Sequence, residues 1–110
     1  MTFLVVGVSH HETPLELRER LSFPLDDLSI ALQRLRSFAH EGVILSTCNR
    51  TEIYADVGHP KSGAEALVRF LAESRSVDAD ELARTTFSYC QLDAVRHLFR
   101  VSAEIGRAHV

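Results

Sequence analysis

Apolar and polar positions along the chain predict four short strands. Residues 2–8 form an apolar run that is too short for a helix and is followed by polar residues, so they predict a buried strand. A second strand begins at Gly42, and a hairpin turn at residues 49–50 leads into a third strand over residues 51–57. Residues 84–89 alternate between apolar and polar side chains and predict the fourth strand.

The segments between these strands carry the signals of helix starts. Residues 13–16 have the order of a capping box, which predicts a short helix to about Leu21. Pro24 opens a longer helix, and residues 62–65 repeat the capping box ahead of a helix that ends near Ser74. Each of the longer helices has one apolar stripe, formed by Leu25, Leu28, Leu32, Leu35 and Phe38 in the first and by Ala64, Leu67, Val68 and Leu71 in the second.

The order of these elements indicates the fold class. The chain runs strand, helix, strand, strand, helix, strand, and ends in a further helix from about Leu92. A strand–helix–strand unit that occurs twice, with a hairpin between its second and third strands, is the pattern of the ferredoxin-like sandwich. We therefore predict an α+β domain whose four-stranded antiparallel sheet carries helices on one face, with an additional C-terminal helix.

Composition and charge narrow the class of protein without indicating a function. The chain has 110 residues, 45% of them hydrophobic and 25% charged, as is usual for one globular domain. No apolar run approaches the ~20 residues that cross a bilayer, and the start lacks the features of a signal peptide. Two cysteines without framework spacing favour a reducing compartment, so we expect a cytoplasmic protein. The net charge of -3 argues against unspecific binding to nucleic acid.

Cys48 lies where the second strand ends in a polar turn. A strand end holds a side chain rigidly and can still expose it to a substrate. The guanidinium of Arg50 would favour the thiolate of Cys48 or bind a carboxylate, and Asn49 tolerates the backbone angles of a tight turn. These features favour a nucleophile; the alternative is a buried apolar filler, the usual role of a free cysteine. Cys90 has no charged neighbour, and we expect it to be such a filler.

His97 is a second candidate for chemistry. A helical wheel of the last helix places His97 on a flank with Ala94 and Val101, away from the predicted core stripe. Because an imidazole titrates near neutral pH, a histidine outside the core can donate or accept a proton. The alternative is a solvated surface histidine. The predicted core stripe of this helix consists of Leu92, Val95, Leu98, Phe99 and Ser102.

The remaining polar residues predict no metal or dinucleotide site. His10 and His11 are adjacent on an extended segment, so their side chains would point to opposite faces, and no Cys/His cluster has the spacing of zinc ligands. The glycines are scattered and form no phosphate-binding loop. The acidic residues are spread over helix faces, where a solvated surface explains them best.

Several sequence motifs together resemble the glutamyl-tRNA reductase family. They are Gly-Val-Ser-His at residues 7–10, Pro-Leu-Glu-Leu-Arg-Glu at 14–19, Ser-Thr-Cys-Asn-Arg-Thr-Glu-Ile-Tyr at 46–54 and Ala-Val-Arg-His-Leu-Phe-Arg-Val at 94–101. Their order and spacing resemble the family from residue 3 to about residue 103, and the motif around Cys48 is the most specific. Residues 11–13 depart from the family pattern, where Lys-Thr-Ala is commoner.

The resemblance implies an oxidoreductase that performs the first committed step of tetrapyrrole, and hence porphyrin and heme, biosynthesis from glutamate. Cys48 would attack the ester carbonyl of glutamyl-tRNA and form a thioester, the activated intermediate of covalent catalysis. NADPH would then reduce the thioester and release glutamate-1-semialdehyde. Thr47, Cys48, Asn49 and Arg50 would bind the glutamyl group, with Arg50 on its side-chain carboxylate. His97 matches a family histidine that is important for activity.

The resemblance also implies a longer enzyme. In the family an NADPH-binding domain and a helical dimerisation domain follow this region, so we expect residues 1–103 to be the catalytic N-terminal domain of a fragment that lacks both. Such a fragment would hold no cofactor, would form or hydrolyse the thioester without reducing it, and would not be the homodimer expected of the whole enzyme. Residues 104–110 resemble a translated sequencing adapter, and we expect a non-native tail.

Two alternatives to a catalytic domain stay open at this point. The chain could be a non-catalytic ferredoxin-like module that binds RNA or a small effector, although its charge shows no basic face. It could also be an inert fragment whose last helix has lost the partner against which it packs. Dependence on Cys48 separates the catalytic domain from the binding module, and protease resistance separates both from the inert fragment.

Overall fold

The computed structural model describes residues 1–9, 13–37, 39–47 and 49–108, which form four strands and five helices. Phe38 and the pair His10 and His11 lie outside the described residues. No helix within the described ranges is both long and apolar enough to cross a membrane. In chain order the elements are β1 (Thr2–Ser9), α1 (Leu15–Leu21), α2 (Leu25–Leu35), β2 (Gly42–Ser46), β3 (Arg50–Val57), α3 (Pro60–Arg75), α4 (Ala79–Ala83), β4 (Phe87–Cys90) and α5 (Leu92–Ala108).

The four strands form one antiparallel sheet in the order β2–β3–β1–β4. The two central strands pair along their whole length, from Thr2 opposite Val57 to Ser9 opposite Arg50. Because the hairpin returns β3 into the space between β1 and β2, the first two strands are not neighbours. This is the split arrangement of a ferredoxin-like sandwich, and the predicted fold class is confirmed.

One face of the sheet packs against the helices α1 to α4. Successive side chains of a strand point to opposite sides, so alternate residues of β1 and β3 meet these helices. The approach of α3 is close, since a Cβ on Gly63 would lie 2.6 Å from Cγ2 of Val57. The buried cluster includes Leu4, Val6 and Val8 of β1, Ile53, Ala55 and Val57 of β3, and Leu17, Leu21, Leu35, Leu67, Leu71 and Leu82 of the helices.

The apolar stripes predicted for α2 and α3 face this core, with one exception. Leu25, in the first turn of α2, is 84% exposed, because the first turn extends beyond the edge of the cluster formed by the later turns. The members of the two stripes that pack in or against the core are Leu28, Leu32 and Leu35 of α2 and Ala64, Leu67, Val68 and Leu71 of α3.

Helix α5 covers part of the opposite face of the sheet and corrects the helical wheel. Ala94 packs with Val5 and Tyr54, and Val101 is also buried. The helix therefore approaches the sheet through the flank predicted to lie outside the core, since the small side chain of Ala94 allows close contact. Most of the predicted core stripe is exposed instead, namely Leu92, Leu98, Phe99 and Ser102.

Two helices begin beside a proline without the predicted capping boxes. Pro14 is the N-cap of α1 and no side-chain hydrogen bond caps that helix, while the Thr13 hydroxyl is buried without a partner. Helix α3 begins at Pro60, before the predicted start, and its N-cap His59 makes no side-chain hydrogen bond. At the start of α3, Pro60 presets the helical φ and lacks an N–H that a cap would need to satisfy. In α1, Pro14 takes the N-cap position that was predicted for Thr13. Both predicted capping boxes are therefore wrong.

The segment before β4, predicted to be a polar turn, contains a short helix, α4. Its N-cap Asp78 accepts a first-turn backbone N–H through Oδ2 at 2.9 Å. Thr85 and Thr86 were predicted to belong to the fourth strand, but they follow the C-terminus of this helix. Their hydroxyls donate to carbonyl oxygens within the helix, each at 3.1 Å. The strand consequently begins at Phe87 rather than at Arg84.

Candidate active site

The hairpin turn between β2 and β3 is held by Thr47. Its backbone N–H donates to the carbonyl oxygen of Arg50 at 2.9 Å, and its Oγ1 accepts the backbone N–H groups of Asn49 and Arg50, each at 3.2 Å. Cys48, the predicted nucleophile, lies outside the described residues. The residues on either side of it in the sequence are thus bonded to one another.

Two further hydrogen bonds tie the hairpin to the chain around the end of α1. The hydroxyl oxygen of Ser46 accepts the backbone N–H of Phe23 at 2.9 Å. On the other strand, the buried hydroxyl of Thr51 donates to the carbonyl oxygen of Leu21 at 3.3 Å. Both strands of the hairpin are therefore anchored next to the turn, which is how a scaffold positions a reactive side chain.

Glu52 is fully buried and contacts three side chains. Its Oε1 accepts the hydroxyl of Tyr54 at 2.7 Å. Its Oε2 lies 3.1 Å from Nη1 of Arg50 and 2.7 Å from Nε2 of His97. Arg50, Glu52 and Tyr54 are alternate residues of β3 and share one face of the sheet, whereas His97 comes from α5. A carboxylate is costly to bury unless it is paired and hydrogen-bonded, and these contacts meet that requirement.

Gly7 provides the space for the Glu52 side chain. It pairs with Glu52 across β1 and β3 and with Phe87 across β1 and β4. A Cβ at Gly7 would lie 2.8 Å from Cγ of Glu52, 2.9 Å from the carbonyl oxygen of Thr51 and 3.0 Å from Cζ of Phe87. Any larger residue at this position would displace the carboxylate or the backbone beside it.

The imidazole of His97 packs against two aromatic rings, which also contact each other, and it is largely buried. Its centroid lies 4.9 Å from that of Phe87 and 5.2 Å from that of Tyr89, two residues on the same face of β4. The side chain is 12% exposed. The alternative of a solvated surface histidine is therefore wrong, because α5 turns this flank toward the sheet.

Tyr54 remains protonated over the range in which a free tyrosine would ionise. Burial, and then the hydrogen bond to Glu52 together with its negative charge, raises the pKa of Tyr54 well above its ordinary value. Both effects disfavour a second anion beside the carboxylate. Tyr54 is consequently a hydrogen-bond donor to Glu52 at all physiological pH values.

Among the residues predicted for the site, Arg50 and His97 are brought together, and Glu52 joins them. Glu52 contradicts the prediction that acidic residues lie on solvated helix faces, because it lies in the middle of a strand. The alternation of Arg50, Glu52 and Tyr54 in that strand was a signal of a shared polar face. The residues that contact this polar face could not be identified from the sequence, because the pairing of the strands was not yet known.

The other predicted residues have different environments. Asn49 is exposed at the turn, where it is accessible to a ligand, whereas the hydroxyl of Thr47 is engaged within the turn. Cys90 is exposed and is not the buried filler that was predicted. It lies on β4, an edge strand, and an edge strand is less completely covered by helices than the central pair.

The described residues do not fit a nicotinamide dinucleotide. Such a cofactor is bound by a glycine-rich loop between a strand and a helix of a parallel sheet, whereas this sheet is antiparallel. Gly7, Gly42 and Gly63 each lie tightly against another side chain, and none of the described glycines has a positive φ. Among the described residues, no three His, Cys, Asp or Glu side chains cluster closely enough to hold a metal ion.

The fold and the site define the class of the protein. It is a ferredoxin-like α+β domain in which a buried carboxylate binds an arginine beside a hairpin turn and a histidine on the last helix. Such a network can hold an imidazole and a guanidinium in fixed positions near a substrate. Comparison with known proteins identifies the family.

Residues 6–105 match the family model described as "Glutamyl-tRNAGlu reductase, N-terminal domain". The chain is 45% identical over 107 residues to a glutamyl-tRNA reductase of Syntrophotalea carbinolica, covering 96% of this chain and 24% of the relative. It is 48% identical over 103 residues to one of Herpetosiphon aurantiacus, covering 94% and 25%. A solved structure, the glutamyl-tRNA reductase from Methanopyrus kandleri, superposes with a TM-score of 0.60 at 30% identity, covering 90% of this chain and 21% of that one.

The chain therefore belongs to the glutamyl-tRNA reductase N-terminal domain family. It spans about a quarter of the length of the curated relatives that it matches.

Proposed function

We propose that this chain accepts the glutamyl group of glutamyl-tRNA as a thioester on Cys48. Membership of the family supports the choice of substrate, and the motif around Cys48 supports the choice of nucleophile. The observation that carries the proposal is the shared contact of Arg50 and His97 with one oxygen of Glu52. It places a cationic side chain and a titratable one together at the hairpin to which Cys48 belongs.

The proposed step is an acyl transfer. The sulfur of Cys48 attacks the ester carbonyl carbon, a carbon–sulfur bond forms, and the carbon–oxygen bond to the terminal ribose of the tRNA breaks. The thiol loses one proton and the departing ribose oxygen gains one. We assign the transfer of that proton to His97, since imidazole is the side chain best suited to accept and return a proton near neutral pH.

Recognition of the glutamyl group is assigned to the turn. Arg50 would bind the side-chain carboxylate, because a guanidinium matches a carboxylate in shape and charge. Its contact with Glu52 orients the plane of the guanidinium. The exposed Asn49 would contact the polar groups of the substrate, and Thr47 would contribute by holding the turn, since its hydroxyl is already bonded there.

The family resemblance further implies that NADPH reduces the thioester to glutamate-1-semialdehyde. Because the described residues do not fit a dinucleotide, we assign NADPH binding to a part of the longer relatives that this chain does not cover. The relatives are about four times as long, which leaves room for such a region and for the contacts of a homodimer. A cytoplasmic location fits a domain whose substrate is an aminoacylated tRNA.

The transfer of radiolabelled glutamate from glutamyl-tRNA to the protein tests this proposal. After an acid quench, the wild-type chain should carry label that neutral hydroxylamine releases, as expected of a thioester. Cys48→Ala should carry none, whereas Cys90→Ala, which removes the exposed thiol on β4, should be labelled like the wild type. Binding of the tRNA without any labelling, unaffected by Cys48→Ala, would favour the binding module instead.

A further inference from the structure

We infer that Glu52 is a positioning residue, which fixes the imidazole of His97 with Nε2 protonated and leaves Nδ1 as the nitrogen that exchanges a proton during acyl transfer. The inference rests on the proposed function for its reaction. It adds a residue outside the predicted site and assigns a separate role to each nitrogen of His97.

The assignment of the nitrogens follows from the donors and acceptors around Oε2. A guanidinium has only donors, so Oε2 is an acceptor in its 3.1 Å contact with Nη1 of Arg50. The same oxygen lies 2.7 Å from Nε2 of His97, a distance typical of a charge-assisted hydrogen bond. Two nitrogens that approach one accepting oxygen must each bring a hydrogen. Nε2 therefore donates.

The orientation of the imidazole is also restricted by packing. Phe87 and Tyr89 lie against the ring, and only 12% of the side chain is exposed. A ring flip would replace the Nε2 contact with a carbon atom and leave the buried carboxylate with one donor fewer, which is costly. The opposite nitrogen, Nδ1, does not share the contact with Glu52, and the proton that moves during the reaction is therefore assigned to it.

Glu52 also couples the two parts of the site. Arg50 is bonded through its backbone to Thr47 across the turn and through its side chain to Glu52. His97 reaches the same oxygen from α5. A shift of this carboxylate would consequently move the guanidinium and the imidazole together, and a displacement of about 1 Å near reacting atoms can cost about 100-fold in rate.

The tautomer can be measured in the wild-type chain without any variant. Long-range proton–nitrogen NMR spectra of the histidine rings distinguish protonated from unprotonated nitrogens, and the neutral form of His97 should have its proton on Nε2. A neutral His97 with its proton on Nδ1 would overturn the inference, whatever the activity. Because the measurement needs no substrate, it does not depend on whether the proposed function is correct.

The kinetic test compares Glu52→Gln with two other variants. Glu52→Gln keeps the size of the side chain but removes the charge and the obligatory acceptor, so thioester formation should slow by on the order of 100-fold and the Nε2–H tautomer should lose its dominance. Glu41→Gln, a neutralisation of an exposed carboxylate, should leave both unchanged. Tyr54→Phe removes a hydrogen bond from Oε1 only. It should therefore lower the stability of the chain but slow thioester formation much less than Glu52→Gln does.

These outcomes separate the two proposals. If the wild-type chain forms no thioester, the proposed function fails, while the tautomer still reports on the role of Glu52. If the wild type forms the thioester and Glu52→Gln forms it within about twofold of the same rate, the positioning role is wrong. Equal losses of rate in Glu52→Gln and Tyr54→Phe, with equal losses of stability, would mean that Glu52 acts through stability alone and would also overturn the inference.

Discussion

Nε2 of His97 and Oε2 of Glu52 lie 2.7 Å apart although 45 positions of sequence separate the two residues. Their contact joins the last helix to a central strand on the face of the sheet opposite the main core. Since Arg50 binds the same oxygen, the geometry of the candidate site depends on how one buried carboxylate is held. Changes that displace Glu52 should therefore affect stability and chemistry together.

Replacement of Gly7 should displace the carboxylate directly. A Cβ at Gly7 would lie 2.8 Å from Cγ of Glu52 and 2.9 Å from a backbone oxygen, and overpacking of this kind typically costs about 1–3 kcal/mol. We expect Gly7→Ala to lower the free energy of unfolding in urea by that amount. Gly58→Ala is the matched control, because a Cβ there meets nothing within 4 Å. A Gly7→Ala variant as stable as Gly58→Ala would contradict the close packing described here.

Tyr54 should make the stability of the domain depend on alkaline pH. Its pKa is raised in the folded chain by burial and by Glu52, so its contribution is complete below the ordinary tyrosine pKa of about 10. Above that pH the unfolded chain loses a proton that the folded chain keeps, and stability falls by up to about 1.4 kcal/mol per pH unit. Urea unfolding between about pH 9 and pH 11 should show a steeper decline for the wild type than for Tyr54→Phe.

Tyr89→Phe serves as the control for that experiment, because it changes the other tyrosine of the chain, which is 38% exposed. It should retain the steep alkaline decline of the wild type. At neutral pH Tyr54→Phe should itself cost about 1–3 kcal/mol, since Oε1 of Glu52 loses the hydroxyl that donates to it. Identical alkaline slopes in the wild type and Tyr54→Phe would show that Tyr54 is not the group responsible.

The orientation of α5 can be tested with two substitutions on different faces. Val101 is 2% exposed, whereas Phe99 is 71% exposed. Val101→Ala should therefore lower the free energy of unfolding by roughly 1–3 kcal/mol, and Phe99→Ser should change it by no more than about 0.5 kcal/mol. The opposite ranking in urea unfolding would restore the core stripe that the helical wheel predicted.

The hydroxyl of Thr47 should be needed for the hairpin turn. It accepts two backbone N–H groups, and the loss of such a partner typically costs about 1–3 kcal/mol. Thr47→Val keeps the shape of the side chain but removes the hydroxyl, so it should destabilise the chain and slow thioester formation. Thr47→Ser should restore most of both, and failure of this rescue would mean that the methyl group, not the hydroxyl, is important.

Much of the fold followed from the sequence because the strand signals were strong. The apolar run of β1 and the turn before β3 were sufficient to predict the order of elements and hence the ferredoxin-like sandwich. The ends of elements were predicted less well. Pro60 began α3 before its predicted capping box, and the threonines predicted as strand closed α4 instead, since local hydrogen bonds outweighed the alternation of side chains.

The site was predicted in parts and not as a whole. Arg50 and His97 were identified from their residue types and from the family resemblance, but their common partner Glu52 was not. Its role depends on the strand register that places it opposite Gly7, and on the orientation of α5, which faces the sheet with Ala94. A helical wheel favours the larger apolar side chains of α5, and it contains no information about which flank fits the surface that the sheet offers.

The most direct test of thioester formation on Cys48 locates the glutamyl group on the wild-type chain. The chain is mixed with glutamyl-tRNA, quenched in acid, digested under acidic conditions and mapped by tandem mass spectrometry. We expect one added glutamyl group, on the peptide that contains Cys48, with Cys90 unmodified. A protein that binds the tRNA yet carries no glutamyl group, or carries it on Cys90 alone, would contradict acyl transfer to Cys48.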